Sequence, residues 1–285
     1  MDAAPLTFGQ EVRGWARQVA LGRERLGSVV ARLGELPLGG SAVGTGLNVP
    51  RGWAAAVISR LADELGLPLT EAVDHVEAQS GQDVLVEVSG AIKTVALSLY
   101  KIAGDLRLLA SGPHAGLAEI TLPALQKGSS IMPGKINPVI PEAVQQVAAQ
   151  VVGNDAAITF AATSSTLQLN TAMPVMARNL LESLRLVAAG ADALATKCIA
   201  GMVADEATMR RYAESSPALA TALVPLVGYD EAAAIVARAA AQGRPVRDVA
   251  LEDPALTSAQ VEWALDLDRM ARGGTAPLPA RGARP

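Results

Sequence analysis

The chain has 285 residues, about twice a typical domain, and 50% are apolar, but it has only three Trp, three Tyr and two Phe, so Ala, Leu and Val must build the core. Charged residues make up only 18%, and 24 basic against 28 acidic side chains leave a net charge of −4, which argues against nucleic acid or another polyanion as a partner. One cysteine (Cys198) and two histidines (His75 and His114) exclude an intramolecular disulfide framework, a multi-thiolate metal centre and a His-rich metal site.

The first twenty residues carry Asp2, Glu11, Arg13 and Arg17, and no run of 18 or more uncharged apolar residues follows. Neither a secretory signal nor a spanning helix is therefore expected, which points to a cytoplasmic protein without membrane partners. Thr7 with Gln10 fits a capping box. Behind it Val12, Trp15, Val19, Gly22, Leu26, Val29 and Leu33 recur at spacings of three and four, which predicts one apolar stripe on a long helix. A second helix is expected to open at Pro50, to show Ala54, Val57, Ile58, Leu61 and Leu65 on one face, and to stop at Gly66. His75 sits in a helical pattern, Glu71-Ala72-Val73-Asp74-His75, and reads as a surface residue.

After Gln82 the pattern is clearest: Val84, Val88, Ile92, Val95, Leu99, Ile102, Leu106 and Leu109 form one stripe that ends at Ser111-Gly112-Pro113. Further helical patterns run from about Pro138 to Phe160 and from about Pro174 to Thr196. No strand-like alternation is sustained, so the fold class is all-α, a bundle of long helices. The periodicity changes near Lys197, after which Pro217, Pro225, Pro245 and Pro254 divide shorter helices. The expected division is a central bundle over 1–196, a small helical C-terminal domain over 197–272 and a disordered Pro/Gly/Arg-rich tail over 273–285. The stripes are too apolar for one chain to cover, so a homo-oligomer is expected.

The stretch with chemical content is Gly128-Ser129-Ser130-Ile131-Met132-Pro133-Gly134-Lys135-Ile136-Asn137-Pro138. Its glycines and prolines forbid a regular element, and glycine lets successive amides face one concavity that would hold an anion. Lys135 adds a point charge, Asn137 a fixed donor and acceptor, and the following helix N-terminus favours negative charge. Ser129 is a hydroxyl in those surroundings, where the cost of its alkoxide falls. A serine-capped loop with a solvated lysine is the plain alternative.

This run resembles the signature loop of the fumarase/aspartase superfamily, Gly-Ser-Ser-x-Met-Pro-x-Lys-x-Asn-Pro, at every specified position. Asp2 to Glu11, Gly39 to Asn48, Ser111-Gly112-Pro113, Gly153-Asn154-Asp155, Leu167-Gln168-Leu169-Asn170 and Leu226 to Asp230 are similar to family segments in the same order. Ile131 and Gly134 resemble the fumarase and aspartase branches. Leu122-Pro123 with Leu125-Gln126, Pro138 to Glu142, and Leu167 to Asn170 look more like aspartate ammonia-lyase.

The resemblance implies a lyase that eliminates ammonia from L-aspartate to give fumarate. Its alternatives are a fumarate hydratase acting on fumarate and malate, and a non-catalytic helical paralogue. It implies a catalytic Ser129 that takes the carbon-bound proton. A substrate-binding Ser130 would cradle the carboxylate with the loop amides, and the stretch Lys135, Ile136 and Asn137 would bind and stabilise it. Glu142 would pair with a catalytic histidine; by itself it reads as a solvated first-turn carboxylate favoured by the helix dipole. No cofactor and no metal are implied, and the assembly would be a homotetramer whose active sites each draw on three subunits.

The family's Thr-His pair lies just upstream of the segment matching Asp2, and its first Ser/Thr/Asn substrate loop lies further upstream. The chain is therefore expected to be the C-terminal part of a family member, inactive alone: a fragment, one half of a split enzyme with a separate N-terminal chain, or a non-catalytic paralogue. His114 stands where relatives carry Arg.

Overall fold

Ala, Leu and Val repeating near every third and fourth position allow helices to approach closely, and long helices are what form. In the computed structural model the described residues are 2–274, so the tail expected to be disordered lies outside them from residue 275 onward. The capping box is present: Thr7 N–H donates to Gln10 Oε1 at 2.7 Å, and Gln10 N–H donates to Thr7 Oγ1 at 3.2 Å. It starts α1 (Phe8–Leu33), whose stripe is narrower than expected. Trp15, Gly22 and Val29 are buried one heptad apart, whereas Val19 and Leu33 are exposed.

The second helix, α2 (Trp53–Leu65), starts later than Pro50, because Pro50 O accepts from Trp53 N–H in a turn and Gly52 sits at φ 75. It ends at Gly66, φ 63, as expected. The stretch Glu71 to Asp74 is not helical, and a helix begins only at His75. Thr70–Glu71 pairs in parallel with Glu35–Leu36, and Asp74 caps α3 (His75–Ser80) by accepting from Val76 and Glu77 N–H. A local carboxylate cap and a short ladder outweighed the helical spacing there.

Three long helices follow: α4 (Asp83–Leu109), α5 (Val139–Ala162) and α6 (Met173–Lys197). Each packs along the other two, and Ile92, Ile102, Leu106, Val144, Val151, Ile158 and Met176 are fully buried between them. Burial of each such side chain contributes about 1.5–3 kcal/mol. Gly22 of α1 faces α4 so closely that a Cβ there would lie 3.1 Å from Val95 Cγ2, and the Trp15 indole N–H donates to Asp105 Oδ2 at 2.9 Å.

Two adjacent polar residues of α5 tie the helices together. Asp155 accepts from Ser89 Oγ at 2.7 Å and from Lys93 Nζ at 2.5 Å, both on α4. Asn154 donates to Ser183 Oγ and Glu182 Oε2, each at 3.1 Å, on α6.

The described chain gathers into two compact units, Trp15–Val203 and a smaller one of residues 2–14 with 204–274. The smaller unit contains α7 (Glu206–Ser215), a 3-10 segment (Pro217–Leu223), α8 (Val224–Val227), α9 (Tyr229–Gln242), α10 (Val246–Leu251), α11 (Ser258–Ala264) and α12 (Leu267–Arg272). Leu223, Ile235, Ala250, Val261, Ala264 and Leu265 are its fully buried centre. Arg269 stacks on the Trp263 ring at 3.9 Å and donates to the carbonyls of Trp263 and Ala264, which closes the end of α11.

In the same unit the buried Asp253 side chain pairs with Arg238 and accepts from Ala255 N–H at 3.0 Å. Burial alone would raise the Asp253 pKa, but the Ala255 N–H and the Arg238 guanidinium outweigh it and hold the carboxyl below the usual range. A lowered folded-state pKa adds stability above the unfolded value of about 3.9, and that stability is lost as pH falls through the folded value. Asp253→Asn should therefore lower the melting temperature at neutral pH, and the wild-type advantage should shrink as pH falls below about 4. Thermal unfolding of both chains across that range checks this.

The all-α expectation holds: among the described residues the only strands are two-residue segments. Among them, too, no helix is long and apolar enough to cross a membrane.

Candidate functional site

Between α4 and α5 the chain makes no long element, and Pro133, Gly134 and Pro138 explain why. Gly134 at φ 80 turns the backbone, and Lys135 N–H donates to Met132 O at 3.3 Å. The loop is closed at its base. Gly128 N–H donates to Lys135 O at 2.8 Å, and the Asn137 side-chain amide donates to Gly128 O at 3.2 Å. Only glycine fits at 128: a Cβ would lie 2.5 Å from Lys135 O and 2.8 Å from Asn137 N.

Inside this closed loop, Ser129 Oγ accepts two backbone hydrogen bonds, from Ile131 N–H at 3.2 Å and Met132 N–H at 3.0 Å. The amides that the sequence assigns to an open anion cradle thus converge on the serine hydroxyl itself. Two N–H dipoles aimed at one oxygen stabilise negative charge on it. Among the described residues the Ser129 O–H has no acceptor.

Ser129 is half-buried, whereas Ser130, Lys135 and Ile136 are exposed, as are Ile131 and Met132. Among the described residues Lys135 makes no ion pair, so its ammonium is free for an incoming anion. Asn137 is half-buried and engaged with Gly128.

Glu142 lies in the first turn of α5 and is not simply solvated: Arg107, in the last turn of α4, approaches it to 3.8 Å and also donates to Gln145 Oε1. Sequence reasoning missed Arg107, because no local pattern joins residues on different helices.

Two cavities lie away from the loop. One of about 220 Å³ is walled by the Gly39 to Gly46 turn, Pro50, Ala54, Glu71 and His75. His75 belongs there rather than on the open surface: its side chain is 19% exposed, and its Nε2 lies 3.2 Å from Leu38 O and 3.4 Å from Glu71 Oε1. The other, about 240 Å³, lies in the smaller unit among Arg210, Glu214, Arg247, Glu262 and Asp266. His114 is exposed in the turn after α4.

Residues 1–153 match the family described as "Lyase", and residues 219–272 match "Fumarase C C-terminus". The chain belongs to the fumarase/aspartase superfamily.

Among curated relatives in that superfamily, it is 48% identical over 277 residues to a fumarate hydratase class II of Corynebacterium efficiens, covering 95% of this chain and 59% of the relative. It is 51% identical over 253 residues to a fumarate hydratase class II of Mycobacterium tuberculosis, covering 88% of this chain and 53% of the relative. The chain thus spans between half and three fifths of the length of these relatives. A crystal structure of a class II fumarase from Schistosoma mansoni superposes with a TM-score of 0.90 at 32% identity, covering 95% of this chain and 60% of that one. A fumarate lyase:delta crystallin structure from Brucella melitensis, bound to cobalt, gives 0.90 at 45% identity, covering 95% and 59%.

The curated relatives overturn the aspartate ammonia-lyase reading, since those at 45%, 48% and 51% identity are named fumarate hydratases. In two of the segments that suggested the aspartase branch, single residues hold a close contact or a turn. Pro123 sits against Gly201, where a Cβ would lie 2.7 Å from Pro123 Cγ. Asn170 is buried and anchors its own turn, donating to Ala161 O and Ser165 Oγ and accepting from Ala172 N–H. Such residues record how a turn is held, not whether water or ammonia leaves.

Proposed function

We propose that this chain is the serine-loop part of a lyase that interconverts malate and fumarate by loss and addition of water. The observation that carries the reading is the Ser129 hydroxyl held on two amide N–H groups, in a loop whose Lys135 is exposed and makes no ion pair among the described residues. The fumarate hydratase relatives at 48% and 51% identity support water as the leaving group.

In this mechanism the Ser129 alkoxide takes a proton from the malate carbon beside a carboxylate. The electron pair moves into that carboxylate as a dianionic aci-carboxylate. It then returns to form the double bond as the hydroxyl leaves as water, its proton given by a general acid from outside this loop. The proton taken from carbon stays on Ser129 until it passes to solvent. Lys135, Ser130 and Asn137 bind the carboxylate whose charge doubles, and Ile136 completes that stretch. Each well-placed donor contributes about 3–4 kcal/mol to such a transition state. Glu142, steadied by Arg107, is the carboxylate available to orient a histidine.

A homotetramer is part of the same proposal. Leu97 and Tyr100 of α4, Val152 and Phe160 of α5, and Leu181 and Leu184 of α6 are exposed on long helices that a second copy would cover.

The test is reconstitution: this chain is co-expressed with the portion of the Corynebacterium efficiens enzyme that it does not cover. The purified assembly should run as a tetramer and dehydrate malate at least about a hundredfold faster than it deaminates aspartate. Fumarate absorbance reads both rates. Faster release from aspartate would refute the hydratase reading.

A further inference from the structure

We infer that Asn137 is a positioning residue whose side-chain amide, by clasping the Gly128 carbonyl, holds the Ser129 hydroxyl on its two amides. This deepens the reading of Ser129 as the reacting hydroxyl and rests on it. The covalent geometry makes the connection. The Gly128 carbonyl and the Ser129 nitrogen share one rigid peptide plane. Fixing that carbonyl therefore fixes the direction in which Ser129 leaves the loop base.

Gly128 is gripped on both sides: its N–H donates to Lys135 O at 2.8 Å, and its oxygen accepts from Asn137 Nδ2 at 3.2 Å. The rest of the loop offers little else to hold it, since Ile131 is 83% exposed and Met132 47% exposed. From the Ser129 backbone held in this way, Oγ reaches the Ile131 and Met132 amides together. Asn137 has one further N–H and its Oδ1 to spare, so the clasp leaves it able to contact a carboxylate as well.

A thiol placed at Ser129 reports the clasp without any turnover. In Ser129→Cys the amides should stabilise the thiolate and lower its pKa by about one unit from the ordinary 8.5 or so. Reaction with iodoacetamide against pH measures this. Cys198 does not interfere, because burial pushes its thiol up to about 11.

Adding Asn137→Ala should return the titration to about 8.5, roughly a tenfold loss of thiolate at pH 7, with circular dichroism unchanged. Gly128→Ala, which drives a Cβ against Lys135 O, should do the same and carries the test if Asn137→Ala does not fold. An ordinary thiol pKa in Ser129→Cys alone, or a lowered one that survives Asn137→Ala, overturns the clasp. Failure of the reconstituted enzyme to use malate would refute the hydratase reading and leave this titration as it stands.

Discussion

Ser129→Ala in the reconstituted enzyme is expected to lower kcat for malate dehydration by about 10²–10⁴-fold while KM changes little, because a proton-transfer group acts in the transition state and not in binding. The structure makes Ser129 the residue to remove. Its oxygen alone in the loop receives two amide N–H groups, and its own O–H has no acceptor among the described residues. Lys135→Met should behave differently. Its exposed ammonium would attract the substrate carboxylate in the ground state as well, so KM should rise along with any loss in kcat. Steady-state kinetics on both variants separate the roles. A Ser129→Ala enzyme retaining more than about a tenth of its kcat would remove serine as the base.

Lys93→Met is expected to destabilise the bundle by about 2–3 kcal/mol, read as a lower urea midpoint with the slope unchanged. The Asp155 side chain is only 10% exposed, so its carboxylate depends on Lys93 at 2.5 Å and Ser89 at 2.7 Å. Deleting the cation strands a buried charge, which usually costs about 3–5 kcal/mol. Lys93 itself is 37% exposed, so water partly replaces it and the lower figure is appropriate. Replacing the pair together, Lys93→Leu with Asp155→Leu, should cost less than Lys93→Met alone, since no charge is then left unpaired. A cost under about 1 kcal/mol for Lys93→Met would mean that the pair is effectively solvated. The pair joins α4 to α5, and α5 begins where the serine loop ends.

Much of this was legible because it is local. Thr7 and Gln10 are one helical turn apart, and the capping box they spell is the one that forms. Gly66 ends α2 because a left-handed residue there needs no side chain. The α4 stripe buries Val88, Ile92, Leu99, Ile102 and Leu106 at the spacing a helix imposes. Where a second local signal competed, spacing misled: Asp74 caps α3 and the chain before it pairs as strand, so Glu71 to Asp74 is not helical. The leaving group was misread for another reason. In Leu122 to Gln126 and Leu167 to Asn170, Pro123 packs against Gly201 and Asn170 anchors its own turn, and similarity of that kind carries no chemistry.

By itself the sequence determined the helical class, the caps and stops of the long helices, and the loop in which Ser129, Lys135 and Asn137 stand together. Those follow from backbone rules acting over a few residues. The tertiary structure alone decided that Gly128 is held between Lys135 and Asn137, that Ser129 accepts the Ile131 and Met132 amides, that Arg107 reaches Glu142, and that Asp155 and Asn154 face different helices. Each of these depends on where a chain reversal or a neighbouring helix places a partner, and hydrophobic periodicity carries no record of which polar atoms will meet.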